Sequence, residues 1–106
     1  MTGYLACALM LCGMLGAAPV AAAEKSHTVL IEGFKFVPER LEVAAGDTVV
    51  WTNKDFLPHS VTASEAGVES GDLALNKSWR FTARQKGEMR YICRLHPVMK
   101  GVLIVE

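Results

Sequence analysis

Cys93, His96 and Met99 stand at three-residue intervals in Cys93-Arg94-Leu95-His96-Pro97-Val98-Met99, close to the end of a 106-residue chain. A turn of that spacing brings a thiolate, an imidazole and a thioether to one point. A second histidine, His59, lies far upstream in Leu57-Pro58-His59-Ser60, with strand-like flanks. Any fold that uses all four donors must carry a mid-chain segment to the side of a C-terminal loop. Taken singly, Met99 reads as core packing and His59 as a surface or hydrogen-bonded histidine. The combination carries the metal reading.

One thiolate, two imidazoles and one thioether match the trigonal site, with a weak axial Met, that holds copper for electron transfer. The soft sulfurs suit Cu(I), and the imidazoles suit Cu(II) as well. Zinc accepts some of these donors, but a thioether is an unusual ligand for it. A binuclear copper site would want a second Cys in the loop. Four protein donors also leave no clear open position for a substrate, unlike a catalytic metal site. The expected metal set is therefore His59, Cys93, His96 and Met99, with no catalytic residues.

The chain opens with an apolar run from Leu5 to Leu15 and passes through Gly16-Ala17-Ala18-Pro19-Val20-Ala21-Ala22-Ala23. A short apolar segment followed by a small-residue cleavage site reads as a secretory signal peptide over residues 1–23. The run is short for a membrane span. Retention as an anchor is the alternative. Cleavage after Ala23 removes Cys7 and Cys12 and leaves Cys93 as the one thiol. A single thiol in an oxidising compartment needs burial, catalysis or a cap, and copper coordination is a cap.

All eleven acidic and all eleven basic side chains lie after residue 23, so the remaining domain is formally neutral. Nothing in that balance points to nucleic acid or to an anionic membrane surface. Residues 24–106 read as one small domain, which buries only about 60% of its unfolded surface and gains from a bound metal.

The segments are short and strand-like. Thr28 to Ile31, Phe34 to Phe36, Leu41 to Val43, Thr48 to Thr52, His59 to Thr62, Ser78 to Thr82, Met89 to Cys93 and Val102 to Val105 alternate or are β-branched. Ala45-Gly46-Asp47 and Asn53-Lys54-Asp55 are turn signals. Residues 64–77 are polar and read as loop. About seven to eight strands without an amphipathic helix make an all-β Greek-key sandwich. Trp51, Trp79, Phe36, Phe81 and Tyr91 are its expected core. His27 is expected to be exposed and unrelated to the metal.

Phe34-Lys35-Phe36-Val37-Pro38, Ala45 to Asn53, Pro58-His59-Ser60-Val61 and Tyr91 to Gly101 resemble the cupredoxins, the small type 1 blue copper proteins, in order along the chain. The ligand loop, with two residues between donors and Pro97 after the second His, is similar to that of the amicyanins. The resemblance departs at Ser60, where those relatives usually carry Asn, and at Val98, where they carry an aromatic residue. It implies a sandwich with one copper at one end, held by His59 and by the Cys93–Met99 loop.

The implied function is periplasmic electron transfer, cycling Cu(II) and Cu(I) between redox partners, without enzymatic activity. A dehydrogenase and a c-type cytochrome are the expected donor and acceptor. The mature form is expected to be a monomer with no membrane span and no nucleic-acid partner. The alternative is a copper carrier or storage protein that binds Cu(I) without redox turnover.

Overall fold

The computed structural model describes Gly3 and residues 24–106. The expected leader, Gly3 apart, lies outside the described residues. Among the described residues, no helix is long and apolar enough to cross a membrane.

The described residues form nine strands: β1 (Ser26–Ile31), β2 (Phe36–Val37), β3 (Arg40–Val43), β4 (Thr48–Asn53), β5 (Thr62–Ala63), β6 (Val68–Glu69), β7 (Ser78–Thr82), β8 (Gly87–Ile92) and β9 (Lys100–Val105). Their sequences supply the β-branched and aromatic residues that fit a half-buried pleated surface. In β4 the alternation is clear: Val49, Trp51 and Asn53 are buried, and the residues between them are half-buried. The count exceeds the expected seven to eight because the 64–77 segment contains β6 and a short 3₁₀ turn, Ser64–Ala66. Another difference lies at Phe34, expected in a strand. It stands in a turn at φ 58°, after Gly33 at φ 63°, so β2 begins only at Phe36.

The strands make two sheets, in the orders β2-β1-β4-β7 and β3-β9-β8-β5-β6. The chain crosses repeatedly between them, as a Greek key requires. β1 runs parallel to β4 and β3 parallel to β9, and the remaining strand pairs are antiparallel. Inward-facing Val29, Ile31, Val49 and Trp51 of one sheet meet Val43, Tyr91, Leu103 and Val105 of the other. Tyr91 packs edge-on against Phe36 at 4.7 Å and Trp51 at 5.5 Å, ring centre to ring centre. Such pairs add roughly 0.5–1.5 kcal/mol beyond burial alone. Trp79 and Phe81 are only partly buried at the rim of this core.

Parallel pairing of β1 with β4 places the loops after both strands at one end of the sandwich. β8 ends opposite the start of β9, with Ile92 across from Lys100, and the 93–99 loop between them lies at that end too, His96 packing on Phe34 and His59. His27 is not fully exposed. It is half-buried in β1, and its Nε2 stands 2.9 Å from Asp47 Oδ2.

Candidate metal centre

His59 arrives by a backbone bridge. Its N–H donates to Leu73 O at 3.1 Å, and it accepts from the Leu73 N–H at 2.7 Å. Buried Asn53, at the end of β4, braces the loop before it. Asn53 Nδ2 donates to the carbonyls of Leu57 and Leu73, and Asn53 Oδ1 accepts from the Asp55 N–H. The three contacts satisfy a fully buried amide, which would otherwise be costly to desolvate.

The second loop is two consecutive turns. His96 N–H donates to Cys93 O at 3.2 Å, and Met99 N–H donates to His96 O at 2.9 Å. Cys93 N–H then closes the loop on Met99 O at 3.1 Å. The three-residue spacing of the donors is therefore the repeat of the turn itself. Cys93, His59 and Met99 are buried, and His96 is half-buried.

Cys93 Sγ lies 3.6 Å from His59 Nδ1. The His59 and His96 rings sit 5.1 Å apart, centre to centre. Met99 is buried in the core cluster that holds Cys93. Among the described residues, no three His, Cys, Asp or Glu groups close into a compact metal cluster. The contacts are pairwise: His59 with Cys93, and His59 with His96. As a donor set they fit copper, with a buried thiol beside an imidazole nitrogen, a second imidazole near the surface and a thioether in an apolar pocket.

Three residues outside the expected set shape this end. Asp55 Oδ2 stands 2.8 Å from His59 Nε2. An ionised carboxylate only accepts, so Nε2 carries a ring proton, and in the neutral ring Nδ1 presents its lone pair toward the sulfur. Asp55 also accepts the Gly33 and Phe34 N–H groups, each at 2.9 Å. Burial pushes the Asp55 carboxyl up, but these two amides and His59 outweigh it and hold it below its ordinary value. Phe34, positioned by that carboxylate, lays its ring edge-on against both His59 at 5.2 Å and His96 at 5.1 Å. Its left-handed backbone costs roughly 1–2 kcal/mol, which the Asp55 contacts help to offset. Ser60 is the third: its N–H donates to Cys93 Sγ at 3.3 Å.

In the sequence Asp55 reads as a turn residue, and Phe34 as a strand residue that opens the Phe34–Pro38 stretch resembling the cupredoxins. A carboxylate four residues before the upstream histidine was the available signal. No local signal places the Phe34 ring against the two histidines.

Fold and site together define a small β-sandwich with a buried thiol–imidazole contact at one end. A family model described as a cupredoxin-like domain matches residues 5–105, and the chain belongs to that family. It is 33% identical over 111 residues to amicyanin-alpha of Methylorubrum extorquens, across 100% of this chain and 92% of that protein. An amicyanin variant solved in its oxidized state superposes with a TM-score of 0.73 at 30% identity, covering 80% of this chain and 86% of that one. A second amicyanin variant, solved in its Cu(I) form, gives the same TM-score of 0.73, 30% identity and coverage of 80% and 86%.

Proposed function

We propose that this chain is a periplasmic electron-transfer protein that binds one copper through His59, Cys93, His96 and Met99. The observation that carries the reading is the 3.6 Å contact of Cys93 Sγ with His59 Nδ1, in a ring whose other nitrogen is tied to Asp55. A histidine whose second nitrogen bonds a carboxylate is oriented for metal binding. The amicyanin relatives, one of them solved as a Cu(I) form, support the choice of metal.

When bound, copper supplies a one-electron step between Cu(II) and Cu(I). The chain's own residues do the rest. Asp55 fixes the tautomer and direction of His59. The Ser60 amide aims a hydrogen bond at the sulfur, which tunes the potential of such sites. The turn through Met99 holds its thioether in the core, away from water.

His96 is the donor nearest the surface. Phe34, Phe56, Leu57, Leu95 and Val98 are all exposed in the loops at this end. Exposed apolar side chains gathered around a polar group mark a docking surface. Electrons pass there, through the His96 edge, to and from redox proteins such as a dehydrogenase and a c-type cytochrome. Four protein donors leave the chain without a substrate position, so it acts as a carrier and not as an enzyme.

A visible spectrum and a voltammogram of the copper-loaded protein test the reading. An intense thiolate-to-copper band that vanishes in Cys93→Ser, with a reversible couple, is the expected result. Readily exchanged Cu(I) without a reversible couple means copper carriage instead, and retained intense absorption in Cys93→Ser removes the site.

A further inference from the structure

Ser60 does more than offer its amide to Cys93. Its Oγ accepts the Arg94 backbone N–H at 2.8 Å and stands 2.8 Å from Thr62 Oγ1. Thr62 Oγ1 in turn donates to Glu69 Oε2 at 2.5 Å. The other Glu69 oxygen accepts from Arg94 Nε at 3.1 Å. The contacts close a ring through four residues, from the Arg94 backbone through Ser60, Thr62 and Glu69 to the Arg94 side chain.

Proton counting gives the ring one direction. Each hydroxyl has a single proton, and a carboxylate has none to give. Glu69 takes the Thr62 proton, so Ser60 must donate to Thr62. That leaves the Ser60 lone pair for the Arg94 N–H. A serine hydroxyl otherwise rotates freely among staggered positions. Ser60 and Thr62 are buried, where hydrogen bonds polarise one another along a chain. The Thr62 hydroxyl, and after it Arg94, hold the Glu69 carboxyl below its ordinary value.

We infer that Glu69, on β6, is a positioning residue for Cys93: through Thr62 and Ser60 it fixes the hydrogen bond that the Ser60 amide gives the sulfur. The purpose of that bond rests on the proposed function, but the ring itself does not need copper. The rival account is that Glu69 and Arg94, both well exposed, form only a surface ion pair, which contributes little. A surface pair predicts no effect at Ser60.

The test is amide hydrogen exchange by NMR on the metal-free chain, with a voltammogram of the copper-loaded protein beside it. Glu69→Ala, Thr62→Val and the double variant are compared with Asp72→Asn, which cuts only the other Arg94 ion pair. Losing a hydrogen bond to a charged group should speed exchange at the Ser60 and Arg94 amides about ten-fold or more in Glu69→Ala. Thr62→Val should do the same, the double variant no more, and Asp72→Asn nothing. In the loaded protein Glu69→Ala should lower the potential, because a sulfur that loses its N–H donor favours Cu(II). Wild-type exchange in Glu69→Ala, additive effects in the double variant, or an equal effect from Asp72→Asn would overturn the inference. A wild type that binds no copper removes the proposed function, and the exchange result still decides the ring.

Discussion

Asp55 and His59 stand four residues apart and meet at 2.8 Å, carboxylate Oδ2 to ring Nε2. This contact gives a loop histidine a fixed direction. It orients the ring, places the proton on the outer nitrogen and leaves Nδ1 beside the Cys93 sulfur. Through the Gly33 and Phe34 amides, the same carboxylate also seats the aromatic ring that packs on both histidines.

Asp55→Ala should therefore weaken copper binding while leaving the sandwich folded. Loss of a carboxylate behind a ligating histidine costs about 10–100-fold in metal affinity. A competition titration against a chelator of known affinity measures it. Asp55→Asn, which keeps an acceptor without the charge, should fall between wild type and Ala. Wild-type affinity in Asp55→Ala would show that the bridge to Leu73 alone orients His59.

Met99 is buried and tied by its backbone to His96 and Cys93. A weak axial thioether adjusts the potential more than it holds the metal. Met99→Leu conserves volume and should cost less than about 1.5 kcal/mol in stability. It should keep copper and raise the potential, because Cu(II) loses a donor that Cu(I) needs less. Voltammetry of the loaded variant checks the sign. A lowered potential, or loss of the metal, would argue against an axial role.

Most strand positions are legible because period-two alternation and burial express the same physics, whereas of the stretch expected as a strand over His59 to Thr62 only Thr62 lies in a strand, and His59 makes a lone bridge to Leu73. Val49 and Trp51 share the core face that their spacing implies. β6 was not legible, since a two-residue strand in a polar segment has no period to read. Its partner β5 defines it instead, with Thr62 opposite Glu69 and Ala63 opposite Val68. The four candidate donors stand out in the sequence because their chemistry is rare. Thr62 and Glu69 do not, because carboxylates and hydroxyls are common on surfaces, and Asp55 offers only its four-residue spacing to His59. Only long-range packing shows which of them reach the site.

Gly101 sits opposite Tyr91 in the β8–β9 ladder, and the tyrosine ring lies across it. A Cβ at that position would fall 2.2 Å from Tyr91 Cζ and 2.4 Å from its hydroxyl oxygen. The ring is wedged between Phe36 and Trp51, so it has little room to give. Gly101→Ala should destabilise the domain by about 1–3 kcal/mol, the usual cost of overpacking a core. Denaturant midpoints of the metal-free protein measure it. Tyr91→Leu should restore part of the loss by removing the clash. Unchanged stability in Gly101→Ala would mean that the ring moves at no cost.

At the other end of β4, Asp47 accepts from the Lys25 and Ala44 N–H groups and stands 2.9 Å from His27 Nε2. The His27 contact first, then the two amides, holds its carboxyl down from 3.8 to about 2. The unfolded chain therefore takes up a proton at Asp47 before the folded one does. Its contribution to stability is complete above pH 3.8 and is lost as pH falls toward 2. Asp47→Asn should lower the urea midpoint at neutral pH and flatten its fall across that acid window. His27→Gln, which removes the largest contact, should shift the carboxyl back toward its ordinary value and steepen less of the acid loss than wild type. Urea midpoints of the metal-free protein at several pH values give both curves. If the wild-type and Asp47→Asn curves stay parallel down to pH 2, the carboxylate does not carry this part of the acid sensitivity.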